Sequence, residues 1–190
     1  MYICKLICRQ MLKSIILFFR NQKIKKNLQQ KRLLQFPDLQ KYPTMTILVD
    51  DNQKKVVKEM ESFIKDAFKP KIIRFVVLTE SLQGDFLQSD TMFFIEQNDF
   101  NKLGVLKKEK ELSLRSFHDD IFINLSDNNE NVLNDYLVSC INSMFKIGHS
   151  NTNMKLHDLV LDYGIEKNDA ERLKILYKYL MMLSGNKNEK

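Results

Sequence analysis

Two adjacent carboxylates, Asp50 and Asp51, follow the apolar run Met45–Val49. Hard oxygen ligands at the carboxyl end of a strand suit Mg²⁺ and phosphoryl chemistry. These two are therefore the metal candidates of the chain. A second role competes for them, since Asp51 or Asn52 at a helix start caps unpaired backbone N–H groups. Two of the three histidines stand beside acids, His118 before Asp119 and Asp120 and His157 before Asp158, while His149 follows Gly148. A metal or acid–base site requires the fold to bring two of them together, because no helical i, i+4 pair or Cys-x-x-Cys spacing does so locally. Cys4 and Cys8 share a helical face without further ligands, and Cys140 lies on an apolar stripe, where a thiol behaves as a small hydrophobe. No Gly-x-Gly-x-x-Gly or Walker pattern is present, and the turn Ser126-Asp-Asn-Asn-Glu130 carries acids that repel a phosphate at a helix N-terminus. The residues thus identify no catalytic centre, no cofactor and no small-molecule substrate.

Receiver domains and haloacid-dehalogenase-type phosphatases use carboxylates placed like Asp50 and Asp51, but with further partners. A receiver needs a phosphoacceptor Asp after its third strand and a Lys after its fifth, and a phosphatase needs its second acid two residues on. Neither arrangement is visible here.

The clearer chemical signal is charge. Residues 1–43 hold ten Lys or Arg against one acid, Asp38, whereas residues 44–190 hold 20 basic against 23 acidic residues. Clustered cations reward an anionic partner through counterion release and surface potential, which points to nucleic acid or an anionic membrane surface. The anion-contacting candidates are Arg20, Lys23, Lys25, Lys26, Lys31 and Arg32. They fall within a segment free of Gly and Pro from Leu12 to Leu34, in which Leu17, Ile24 and Leu28 recur at spacings of seven and four. A basic amphipathic helix is expected, able to lie on anionic lipid with Phe18 and Phe19 inserted, or to pack on the body and offer its lysines to RNA or a ribosome. Its stripe is also a candidate for self-association.

Composition bounds the rest. With 44% hydrophobic and 28% charged residues, five Gly and three Pro, 190 residues make one well-packed domain with an appendage. The longest apolar run of the first segment, Ile15–Phe19, is far short of the roughly 20 residues of a membrane span. Lys5, Arg9 and Lys13 interrupt any signal-peptide apolar region, and Met11 offers a second start. Three cysteines form an odd set, which favours a reducing cytoplasm over a disulfide framework, with peripheral attachment at the inner membrane as the variant a lipid-binding helix would add.

The elements that must position these residues follow from periodicity. Pro37 and Pro43 punctuate a linker, so residues 1–43 form a basic helix and linker, 44–184 a single α/β domain and 185–190 a polar tail. Strands are expected at Met45–Val49, Ile72–Leu78, Met92–Glu96, Ile121–Leu125, Phe145–Gly148 and Leu159–Leu161. A helix runs from Asp51 or Asn52 to Phe68, burying Val56, Met60, Phe63, Ile64 and Ala67. A second follows a capping box at Asp127 and Glu130, and a third, capped by Asn168 with Glu171, stops near Gly185. Residues 79–117 read as less regular, with a loop crossing around Gly104. Strands alternating with helices imply a three-layer α/β sandwich around a mainly parallel, Rossmann-like sheet.

Two resemblances add to this. The stretch Asp119-Asp-Ile-Phe-Ile-Asn-Leu-Ser126, followed by a helix and Phe145-Lys-Ile-Gly148, is similar to the N-terminal domain of heptosyltransferase-like glycosyltransferases. Those enzymes bind the sugar nucleotide mainly through a second domain that has no counterpart in this chain, so the likeness implies a βαβ arrangement and not glycosyl transfer. More of the chain resembles a family of small uncharacterised proteins of Bacteroidetes-type bacteria. The shared features are the basic helix, Met45-Thr-Ile-Leu-Val-Asp50, Asp99-Phe-Asn-Lys-Leu-Gly104, Phe145-Lys-Ile-Gly148, His157-Asp-Leu-Val160 and a final Leu-Tyr-Lys-Tyr-Leu helix. Leu103 stands where that family carries an aromatic. The resemblance implies an architecture and a cytoplasmic setting, and brings no catalytic residues. The expected function is that of a non-catalytic binding module, with a nucleotide- or Mg-dependent enzyme or sensor at the carboxyl edge of the sheet as the alternative.

Overall fold

The computed structural model of the chain describes residues 2–79, 91–127, 131–150, 152–163 and 168–185. Six strands form one sheet: β1 (Thr44–Asp50), β2 (Ile72–Leu78), β3 (Met92–Ile95), β4 (Ile121–Asn124), β5 (Phe145–His149) and β6 (Leu159–Leu161). Their order is β3-β2-β1-β4-β5-β6, and every pairing is parallel. A parallel sheet covered on both faces needs apolar residues at successive positions. β1 shows how the alternation sorts them. Met45, Ile47 and Val49 enter one core with Met60 and Ile64 of α2 (Val57–Phe68) and Leu173, Leu176 and Leu180 of α5 (Asp169–Gly185). Leu48, beside Val76 of β2 and Phe122 of β4, enters the opposite core with Tyr136, Leu137 and Ile141 from α4 (Asn131–Cys140) and its C-terminal edge. Ile24 of α1 (Tyr2–Leu28) and Leu114 of α3 (Lys108–Arg115) complete that second layer. The sandwich is therefore α2 and α5, then the sheet, then α1, α3 and α4.

All six expected strands are present, within a residue or two at their ends. The helices depart more. α1 ends at Leu28, six residues before the expected Leu34. Beyond it, the chain turns at residues 29–30 and runs on without regular structure, where Arg32 reaches the Ser143 and Met144 carbonyls (2.9 and 3.0 Å) and Asp158 (2.5 Å). Phe36 then packs edge-on against Phe145, with ring centroids 5.2 Å apart. These tertiary anchors override helix propensity over 29–34. Nor does the segment after β1 enter an α-helix directly: Asp51–Val56 is a 3-10 turn, and α2 begins at Val57 without a side-chain cap. The cap of α5 is as expected, with Asn168 Oδ1 accepting from Glu171 N at 2.9 Å. Glu130, half of the expected capping box, lies outside the described residues. Asp127, the other half, takes both carboxylate oxygens to Arg172 Nη1 at 2.9 Å.

The expected irregular segment contains α3. With Leu112 exposed, this eight-residue helix is too short and polar to announce itself by periodicity. Before it, Asp99 closes a 3-10 turn by accepting from Glu96 N (2.9 Å), and Gly104 turns the chain at φ +71°, a conformation that favours glycine. At the amino edge of the sheet, Asp119 is buried against Thr46 and Arg74 (2.5 Å), while Asp120 accepts from Thr44 N (2.7 Å). These two acids beside His118 hold strands together.

Candidate functional site

The strand order reverses between β1 and β4, the place where α/β sheets open a crevice beyond their carboxyl ends. Asp50 ends β1 there, and its Oδ1 accepts from Ser126 Oγ just after β4, at 2.6 Å. The side chain that organises this edge is Gln53. Its Oε1 accepts from Asp50 N (2.6 Å), and its Nε2 donates to the Leu125 carbonyl (3.0 Å) and Asp169 Oδ1 (2.9 Å). One buried amide thereby ties β1, β4 and the start of α5 together. Nothing in the local sequence distinguishes Gln53 from a surface glutamine; only the tertiary pairing reveals it. Arg172 lies between Asp127 and Asp169, the latter at 3.7 Å. Burial raises the Asp169 carboxyl above its usual range, with the Gln53 amide and Arg172 opposing.

Beside this edge is a cleft of about 370 Å³ whose walls include Gln53, Glu59, Asp127, Asp169 and Arg172. Its arginine already donates from Nη1 to both oxygens of Asp127, the first βα turn has no glycine, and the acids disfavour a bare phosphate. Asp50 and Asp51 follow one another in sequence but serve different elements, one the end of β1 and the other the first position of the 3-10 turn. Among the described residues, no three His, Cys, Asp or Glu side chains converge to hold a metal ion.

The structure brings His149 and His157 within electrostatic reach of each other and leaves His118 exposed at the opposite edge, against Asn142 at 3.0 Å. Each ring has one nitrogen at a backbone carbonyl. The Nε2 of His149 lies 2.9 Å from the Ser126 carbonyl, and Nδ1–H of His157 donates to the Asn153 carbonyl at 2.9 Å. Burial pushes His157 down to about 4, so it is neutral at physiological pH. A Cβ at Gly148 would come within 2.8 Å of the His157 ring, which accounts for glycine in Phe145-Lys-Ile-Gly148. Burial pushes the Cys140 thiol up to about 11, as befits an inert core residue.

The basic helix is docked. Ile16 packs on Gly104, Arg20 Nε donates to the Gly104 carbonyl (2.8 Å) and lies over the Phe100 ring, and Lys23 pairs with Glu111 (3.0 Å). Asn27, buried, donates to Ser139 Oγ (2.9 Å) and receives Arg115. The Asp99–Gly104 element is thus the seat of α1. Three of the six expected anion contacts, Arg20, Lys23 and Arg32, are engaged with the body; Lys25, Lys26 and Lys31 are exposed. The expected apolar stripe also divides differently. Ile24 is buried, whereas Leu17 and Leu28 are nearly half exposed, because the docking face is the mixed series Ile16, Phe19, Arg20, Lys23, Ile24 and Asn27. Away from the body stand Met11, Ile15 and Phe18, 62%, 43% and 58% exposed, with Leu12 at the flank. Lys25 continues the same face two turns on, beside Lys26.

Among the described residues, no helix is long and apolar enough to cross a membrane. A family model described as "Family of unknown function (DUF6913)" matches residues 17–183. No curated protein and no solved structure matches the chain.

Proposed function

The chain belongs to that family of unknown function, and we propose that it is a non-catalytic binding module whose basic N-terminal helix lies on an anionic membrane surface. The observation that carries this reading is the outward face of α1, where Met11, Ile15 and Phe18 precede Lys25 and Lys26 while the opposite face is held by the body. A lipid interface rewards both halves, taking apolar side chains into the acyl boundary and lysines against anionic headgroups at about 1 kcal/mol per cation near the surface. A nucleic acid rewards only the lysines, and a water-exposed Phe18 gains nothing from phosphate contacts.

The test is flotation of the full chain with vesicles of phosphatidylglycerol and phosphatidylcholine, with and without nuclease. Binding that requires phosphatidylglycerol and falls with salt is expected. Ile15→Ser with Phe18→Ser should weaken it by roughly tenfold or more, since fully burying such side chains contributes about 1.5–3 kcal/mol each. Both positions are exposed, so the fold is retained. Salt-sensitive capture of RNA with indifference to vesicles, or a dimer lost in the double variant without lipid binding, overturns the reading in favour of nucleic acid or self-association.

A further inference from the structure

A second, separate concentration of positive charge lies on the inner side of α1, where the helix ends. A cavity of about 290 Å³ is bounded by the C-terminal ends of α1 and α4, β5, and the 3-10 turn Met154–Leu156. Five cations line it: Lys31, Arg32, Arg115, Lys146 and Lys155. We propose that this cavity binds a phosphate-bearing anion.

Local structure accounts for only part of that charge. Arg32 is paired with Asp158, and Arg115 with Glu111. The end of α4 offers a field equivalent to about half an electron charge, and it is used: Lys146 Nζ donates to the Val138 carbonyl at 2.7 Å, within the last turn. Two carboxylates and one helix end leave an excess of cations around a half-open polar space. Lys31 and Lys155 are exposed at its mouth, and among the described residues neither has a carboxylate within ion-pairing distance.

Lys146 is the most telling member. It is 5% exposed, and its one described Nζ partner is a neutral carbonyl. Asp158, the nearest acid to act on it, is already taken by Arg32 and by the backbone N–H of Lys146 itself (2.7 Å). Burying an ammonium without an ionic partner is expensive. Burial, then Arg32, push Lys146 down to about 7, with Asp158 opposing, Cys140 acting in the same upward direction and Arg115 in the downward one. An anion in the cavity supplies the missing partner for Nζ, while the two arginines, whose described donors are held by protein acceptors, add positive charge to the site. The volume is near the lower end of the roughly 300–1,000 Å³ typical of small-molecule sites, which suits one or two phosphoryl groups. The phosphate can arrive on a soluble molecule or on a lipid headgroup.

The decisive measurement is calorimetric titration of the full chain with inorganic pyrophosphate at pH 7.5, in two buffers of different ionisation enthalpy. Saturable one-to-one binding is expected, with the anion drawing Lys146 back to its charged form, so that the protein takes up protons against those that pyrophosphate itself releases on meeting cations. Lys146→Met should shift the proton balance towards release and weaken binding at least tenfold, and Lys31→Ala with Lys155→Ala at the mouth should weaken it without touching a buried group. If Lys146→Met does not fold, the mouth variant carries the test. Flotation on phosphatidic acid vesicles separates the sources: no heat from pyrophosphate, but flotation lost in Lys146→Met, assigns the phosphate to a headgroup. Ile15→Ser with Phe18→Ser leaves pyrophosphate binding intact, so this proposal and the membrane reading fail separately. Unaltered pyrophosphate binding in both cavity variants overturns the proposal. So does the absence of any pyrophosphate binding together with flotation indifferent to both.

Discussion

Replacing Gly104 by alanine should loosen α1 from the body, by an amount that can be worked out. Gly104 lies at φ +71°, where an L-residue with a Cβ is disfavoured by about 1–2 kcal/mol. The added Cβ also meets the Ile16 side chain, clashing with Cγ2 and lying 3.0 Å from Cγ1. Forcing an extra carbon into a filled contact costs typically 1–3 kcal/mol. The sum, roughly 2–5 kcal/mol, should lower the melting temperature by roughly 4–20 °C for a chain of this size. The two contributions separate in a double-mutant cycle. Ile16→Ala removes the obstructing carbons, so Gly104→Ala in that background should retain only the backbone cost, leaving a favourable coupling of about 1–3 kcal/mol. Urea unfolding gives the energies, and hydrogen exchange across residues 10–28 shows whether the lost stability resides in α1. A cost below about 0.5 kcal/mol, or a cost that Ile16→Ala leaves unchanged, refutes the account of Asp99–Gly104 as the seat of the helix.

Asp119→Ala should destabilise by about 3–5 kcal/mol in urea unfolding, because it strands Arg74 and the Thr46 hydroxyl at the buried amino edge of the sheet. The buried His157 makes a prediction in pH. Its folded value is lowered to about 4, so between there and the ordinary 6.5 the unfolded chain binds more protons than the folded one. Its contribution is therefore present above pH 6.5 and lost as pH falls towards 4. His157→Gln should flatten that part of the stability curve relative to the unsubstituted chain, and parallel curves would show that the ring titrates normally.

The sheet was legible in the sequence because a strand buried on both faces must be apolar at successive positions, as Ile121–Leu125 and Ile72–Leu78 are apart from Asn124 and Arg74. Helix contacts were less so. α1 docks through Arg20, Lys23 and Asn27 as much as through Ile16 and Ile24, and polar docking residues leave no apolar period to read. Leu17 and Leu28 of the apparent stripe are left 42% and 47% exposed for the same reason. Gln53 and Lys146 were invisible for another: each matters through partners distant in sequence, Leu125 and Asp169 for the amide, Arg32 and Val138 for the ammonium. Sequence could place the basic cluster, but not divide it between cations held by the body and cations facing out.

The docking of α1 also has a consequence in time. Asn27 finds its partner Ser139 112 positions later in the chain, and Arg32 finds Asp158 126 positions later. At about 5–20 residues per second of synthesis, the helix leaves the ribosome roughly 6–22 s before α4 exists to receive it. During that interval both its faces are open, so the nascent chain presents a more apolar and more basic surface than the finished fold does. The first 30 residues are therefore complete in the chain well before the surface that holds them.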